Sequence, residues 1–287
     1  SIMNKKVILM LAGLGIAFGA PMTASATPED DLKEFQGFFK KKFPTVPLEA
    51  YNDGVNALPQ YAERRANWEL LMEFPPYEED IEKGEELWNT PFKNGKTYAS
   101  CFKNGGKGLA VGYPFYDKES KKMRTIEADI NECRVRNGEE PIKNLKHGTM
   151  AQLVIAFKRL SQGQPMAVKL DSPEALAAYE DGKQFYWARR GQLNMSCATC
   201  HVQNAGNKIR GDVLSPALGH GTGFPVYRTK WALAGKPLGT IHRRYGGCNK
   251  QVRAKPLKPQ SDAYTNLELY QAYMNTGVPI KVPSQRQ

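Results

Sequence analysis

The chain has 287 residues, with 40 Lys and Arg against 29 Asp and Glu, five Cys, 26 Gly and 19 Pro. That length admits two domains of ordinary size, and a hydrophobic share of 41% excludes a disordered polyelectrolyte. The net charge of +11 directs attention to acidic protein partners and small anions.

The first feature in chain order is an apolar run over residues 7–20, preceded by Lys5 and Lys6 and followed by Ala24-Ser25-Ala26. Fourteen apolar residues are too few for a bilayer, which needs about 20. A basic start, a short apolar stretch and a small-x-small site have the form of a secretory signal peptide. Residues 1–26 are therefore expected to be removed, leaving an exported, periplasmic chain without a membrane span. Export places the cysteines where disulfides persist and argues against a nucleic-acid partner.

The next elements are Gly84-Glu85-Glu86-Leu87-Trp88, then Tyr98-Ala99-Ser100-Cys101-Phe102. Cys133 follows, eight residues before Pro141-Ile142-Lys143, and an apolar helix is predicted over residues 149–160. A second helix is predicted from Asp171 or Ser172, either of which can cap it, with Pro173 in the first turn. Leu176, Tyr179, Lys183, Tyr186 and Trp187 recur at helical spacing along it, and it is expected to run to about Arg190 and end at Gly191.

Cys197-Ala198-Thr199-Cys200-His201 comes next and is the most specific motif in the chain. In an exported protein C-x-x-C-H reads as covalent attachment of one haem c, with two thioethers from Cys197 and Cys200 and the His201 imidazole on iron. A zinc site would need a second Cys/His pair at similar spacing. A thioredoxin-like redox pair would follow a strand, whereas a helix precedes this one. A long Gly- and Pro-rich stretch then runs from His201 to about Ala263, and a last helix is predicted over residues 264–276, ended by Gly277. Helix, haem loop, irregular stretch and final helix make a cytochrome c arrangement.

The two halves mirror each other. Gly182-Lys183-Gln184-Phe185-Tyr186 stands to Cys200 as Gly84-Glu85-Glu86-Leu87-Trp88 stands to Cys101, at spacings that differ by one residue. Cys248 lies eight residues before Pro256-Leu257-Lys258, as Cys133 does before its own Pro-x-Lys. On this alignment Tyr98 replaces the first haem cysteine and Phe102 the iron-ligating histidine. The expected fold is mainly α: two tandem cytochrome c-like domains, residues 27–165 without haem and residues 166–287 with it.

Cys101 and Cys133 are then a candidate disulfide, and Cys248 is left over. The repeat would bring Cys248 to the Cys200 end of its own half, which makes it a candidate distal iron ligand rather than a buried inert thiol. Met274, His220 and His242 are the other candidates. Arg243-Arg244-Tyr245-Gly246-Gly247-Cys248 sets two guanidinium groups beside that thiol in what reads as a glycine-loosened loop. Such charges lower a thiol pKa and bind oxyanions through forked hydrogen bonds, although two arginines can equally form a solvated face.

The degraded first repeat, the single C-x-x-C-H and Arg244-Tyr245-Gly246-Gly247-Cys248-Asn249 together resemble the SoxA family, catalytic cytochrome subunits of the SoxAX complex of periplasmic sulfur oxidation, in its monohaem form. The likeness covers nearly all of the chain after residue 26. It implies that Cys248 ligates iron and can carry a persulfide, that Arg244 helps hold the substrate with Arg243 as a candidate second donor, and that Cys101 and Cys133 are bonded. It also implies oxidative conjugation of thiosulfate to a cysteine of the carrier protein SoxYZ, an L-cysteine S-thiosulfotransferase activity, with electrons leaving through a SoxX cytochrome in a heterodimer. The alternatives are a plain electron-transfer cytochrome and a thiosulfate dehydrogenase that makes tetrathionate.

Overall fold

Thr27 caps the first helix through a reciprocal box, its hydroxyl accepting from the Asp30 amide while the Asp30 carboxylate accepts from the Thr27 amide. In the computed structural model, which describes residues 26–286, this helix is α1 (Pro28–Lys42), with acidic residues in its first turn and lysines in its last, matching the helix dipole. The expected leader falls on residues 1–26 and so lies, but for Ala26, outside the described residues. Among the described residues no helix is long and apolar enough to cross a membrane.

Helices α2 (Ala62–Met72) and α3 (Glu78–Asn89) follow, then a hairpin of β1 (Phe115–Asp117) and β2 (Lys122–Arg124), then α4 (Ile126–Arg136) and α5 (Thr149–Arg159). The second half opens with α6 (Pro173–Trp187) and continues through the short pair β3 (Lys208–Ile209) and β4 (Asp212–Val213). It ends with β5 (Val226–Arg228), α7 (Thr229–Ala232), β6 (Leu238–Gly239), α8 (Ile241–Gln251), α9 (Asp262–Met274) and β7 (Ser284–Arg286). Strand β5 is the middle of a three-stranded sheet, antiparallel to β6 and parallel to β7.

Each half is built on a helix crossing that only glycine permits. A Cβ on Gly84 would stand 2.3 Å from the Gln152 carbonyl oxygen of α5, and one on Gly182 would stand 2.0 Å from the Asn266 carbonyl oxygen of α9. These contacts are far inside van der Waals distance, so α3 meets α5, and α6 meets α9, backbone to backbone. The correspondence continues downstream. Cis peptides Tyr113-Pro114 and Phe224-Pro225 lead into β1 and β5, threonines 125 and 240 precede α4 and α8, and Cys133 and Cys248 each lie seven residues after the first residue of their helix.

The halves nevertheless share one continuous apolar core. Helix α1 lies on α6 and α9: the Gln36 amide donates to the Met274 and Thr276 carbonyls at 3.1 and 2.9 Å, and Asp31 accepts from Tyr179 and Lys183, both at 2.7 Å. In the first half, aromatic rings occupy the space enclosed by α3, α5 and the 98–102 turn. Trp88 stacks on Tyr98 and Phe102 at centroid distances of 5.3 and 5.7 Å, and Phe157 closes on Phe102 at 4.9 Å. Cys101 and Cys133 are joined in a disulfide beside this cluster.

Three expectations are corrected. Helix α6 is capped by Ser172, whose hydroxyl accepts from the Ala175 amide, but it ends at Trp187 because Ala188 turns extended. Gly191, at φ +72°, instead makes the turn before the haem motif, where a Cβ would meet the Val252 carbonyl oxygen at 2.0 Å. Leu176 faces outward, and the buried stripe of α6 is Ala175, Ala178, Tyr179, Gly182 and Tyr186. Residues 243–248 are not a loosened loop but the middle of α8, whose Ile241, His242 and Tyr245 are buried in the core. That packing outweighs about 1 kcal/mol of helix propensity lost at each of Gly246 and Gly247.

Candidate haem site

Ser196 and Thr199 fold the C-x-x-C-H segment: the Thr199 amide donates to the Ser196 hydroxyl at 2.9 Å and the Ser196 amide to the Thr199 hydroxyl at 3.1 Å. The turn passes into a short π-helical segment, Thr199–Gln203, and brings Cys197, Cys200 and His201 to the wall of one cavity of about 990 Å³. That is at the upper end of ordinary cofactor sites. The His201 Nδ1 lies 2.8 Å from the Ser215 carbonyl oxygen. A carbonyl can only accept, so Nδ1 carries the proton and Nε2 is left with its lone pair for a metal. Ser215 was not foreseen, because nothing in local sequence ties it to a histidine fourteen residues away.

Cys248 faces His201 across the cavity, within hydrogen-bonding reach of its imidazole. Of the other candidate ligands, Met274 and His242 are not on the cavity wall, and His220, which is, has its Nε2 engaged. Met274 is buried in the core. The His242 Nδ1 accepts from the Gln260 amide at 2.8 Å, and its Nε2 lies 3.3 Å from Glu268. His220 stands behind His201, with ring centroids 4.4 Å apart, and bonds the Ser215 hydroxyl at 2.6 Å.

The three free cysteines are chemically distinct. Burial pushes the Cys197 thiol up to about 12 and raises Cys200. Burial also raises Cys248, but Arg244, the His201 imidazole and Arg228 together outweigh it and bring this thiol down to about 7.

Arg244 and Cys248 are one helical turn apart on α8 and therefore share a face. The guanidinium passes beside Gly247, where a Cβ would lie in ordinary contact, 3.5 Å from Arg244 Nη1. Arg243, expected as a second anion donor, points away from the cavity. Its Nη1 donates to the Lys236 carbonyl at 2.8 Å and also to the Leu238 carbonyl, and its guanidinium lies 4.0 Å from the centre of the Trp231 ring. Consecutive helical residues diverge by about 100°, so α8 cannot present both arginines to one ligand. Arg228, from β5, reaches the cavity instead.

The wall fits a haem. Besides two cysteines and a tautomer-fixed histidine it presents Tyr186 Oη and Arg190 Nε, buried polar atoms without a hydrogen-bond partner. Buried polar groups left unpaired are costly, and a wall that mixes apolar side chains with cations suits a ligand that is apolar over its ring and carries carboxylates at its edge.

A helix-crossing fold with C-x-x-C-H on such a cavity defines a c-type cytochrome. The family model described as SoxA/TsdA, cytochrome c domain, matches residues 83–166. The chain is 46% identical over 281 residues to the L-cysteine S-thiosulfotransferase subunit SoxA of Allochromatium vinosum, covering 97% of this chain and 96% of that protein. It is 46% identical to the subunit of the same name from Chlorobaculum tepidum, covering 98% and 96%. The crystal structure of SoxXA from P. pantotrophus aligns with a TM-score of 0.67 at 34% identity, covering 74% of this chain and 79% of that one. The chain belongs to the SoxA family of L-cysteine S-thiosulfotransferase subunits.

Proposed function

We propose that this chain is the periplasmic subunit that joins thiosulfate oxidatively to a cysteine thiol of a SoxYZ-type carrier, with a SoxX-type cytochrome as its heterodimeric partner. The observation that carries the reading is the placing of Arg244 and Cys248 on one face of α8, opposite His201 and within one cavity. The net reaction takes a carrier thiol and the thiosulfate dianion to a carrier S-thiosulfonate, one proton and two electrons.

Cys197 and Cys200 would hold a single haem c through thioethers, and His201 and Cys248 are the residues that would ligate its iron. When bound, the haem supplies the one-electron acceptor chemistry that the conjugation requires. The aromatic packing of Trp88, Tyr98, Phe102 and Phe157 supports one haem rather than two, so the second electron passes to the partner.

Arg244 holds the sulfonate end of thiosulfate and offsets its repulsion from the Cys248 sulfur. The Cys248 thiolate bonds to the sulfane sulfur as two electrons leave, forming a Cys248 S-thiosulfonate. The carrier thiolate then attacks that sulfane sulfur, takes the S-sulfonate and releases Cys248 as thiolate. A persulfide at Cys248 would serve the same exchange with one more sulfur in the bridge. The experiment is anaerobic turnover of the haem-loaded complex with thiosulfate, an oxidant and reduced carrier, followed by mass measurement of the carrier cysteine. A gain of the thiosulfonate group supports the reading, and tetrathionate with unmodified carrier overturns it.

A further inference from the structure

Thiosulfate carries two negative charges and approaches a third on the Cys248 sulfur, whereas α8 supplies the cavity with only one guanidinium. The second expected donor, Arg243, is held against Trp231 and two backbone carbonyls. We propose that Arg228 is the second anion-binding residue of this site, forming with Arg244 a two-arginine clamp that selects a dianion.

Its position is fixed from three directions. Arg228 is the last residue of β5, the middle strand of the sheet, in register with Arg286 of β7 on one side. On the other side its amide donates to the Pro237 carbonyl at 3.1 Å. Its guanidinium lies 5.1 Å from the centre of the Trp231 ring, and that ring is itself seated on Gly239, where a Cβ would stand 2.2 Å from the indole. One indole therefore lies against both arginines, of which Arg243 stays outside the cavity and Arg228 is part of the wall that also holds Arg244, Cys200 and Cys248.

The electrostatics agree with this placement. Burial and the nearby Arg244 bring the Arg228 guanidinium down to about 10, with Cys248 and Asp212 acting in the opposite sense. It remains a cation at neutral pH. Two half-buried cations that repel one another are stabilised by a dianion between them more than by a monoanion, so the clamp discriminates by charge number as well as by shape.

The inference deepens the proposed function and rests on it for the identity of the anion, but its test does not depend on turnover. Dissociation constants for thiosulfate and for methanethiosulfonate, a monoanion with the same sulfane end, are measured by titration calorimetry on the ferric haem-loaded protein without carrier, at fixed ionic strength. Arg228→Met should weaken thiosulfate binding about 10- to 100-fold, the range for a lost charge-assisted contact, and methanethiosulfonate binding less than about threefold. Arg228→Lys should restore part of the loss, which a purely structural arginine would not require of its charge, and it serves in place of Arg228→Met should that variant fail to take up haem. Lys250→Met, at an exposed position of α8 outside the cavity, controls for general charge. Thiosulfate binding within threefold of wild type in both Arg228 variants overturns the clamp, as do equal losses for the two anions or a wild-type protein that binds neither. Intact binding with no modification of the carrier would instead sink the proposed function and leave the clamp standing.

Discussion

The roles proposed for Arg244 and Cys248 can be tested separately because they would act on different atoms. Arg244→Ala leaves the thiol and the haem motif in place while removing the proposed forked donor to the oxyanion. It should lower kcat/KM for thiosulfate about 10- to 200-fold, from a contact worth roughly 1.5 to 3 kcal/mol, and should spare reduction of the haem by an artificial donor. Arg189, exposed beyond the end of α6, is the control, and its replacement should have a small effect that added salt abolishes. Cys248→Met should keep the haem covalently bound but raise its potential and erase the low-spin thiolate signature in the electron paramagnetic resonance of the ferric protein, because an anionic sulfur favours ferric iron and a thioether does so less. Unchanged spectra would return Cys248 to the reading of an inert buried thiol.

Among the elements, the crossings at Gly84 and Gly182 position everything else, because α6 and α9 frame the cavity that C-x-x-C-H enters. Gly182→Ala puts a methyl group into the Asn266 carbonyl, with Tyr270 Cβ also at 2.9 Å, so the helices must separate. A loss of about 1 to 3 kcal/mol in urea unfolding is expected, the usual scale for overpacking, together with a shift of the haem absorption. Gly37→Ala on α1, where a Cβ meets nothing within 4 Å, should instead stabilise by about 0.5 to 1 kcal/mol through helix propensity. If both substitutions behave alike, close approach is not what these glycines provide.

For the whole molecule, the shared core predicts that the two halves unfold together. The Cys101–Cys133 bridge closes a separation of 32 residues, for which loop entropy gives about 3 to 4 kcal/mol. In a background with Trp187→Phe and Trp231→Phe, whose remaining tryptophans, Trp68 and Trp88, both lie in the first half, Cys101→Ser with Cys133→Ser should therefore lower the midpoint seen by tryptophan fluorescence and the midpoint seen by haem absorption, which reports on the second half, by the same amount. Cross-connections make this the expected outcome. Lys158 of α5 donates to the Phe224 carbonyl at 2.8 Å, and the Thr240 amide ahead of α8 donates to the Lys146 carbonyl at 2.9 Å. A haem midpoint that stays put while the fluorescence midpoint falls would show two independent folding units.

The haem motif, the capped start of α6, the last helix and the correspondence of Cys101 with Cys200 were legible from residue order, because each is a local pattern: three reactive side chains within five consecutive residues, a cap beside a helical stripe, or a repeat of short words. The pairing of Arg244 with Cys248 was legible as proximity but not as geometry. Gly246 and Gly247 argue locally for a loop, and the burial of Ile241, His242 and Tyr245 makes the segment a helix, turning Arg243 out and Arg244 in. Ser215 behind His201 and Arg228 beside Arg244 left no mark in the sequence. The first is a backbone carbonyl, which any residue carries, and the second reaches the cavity from a different strand, through a sheet whose register exists only once the chain has folded.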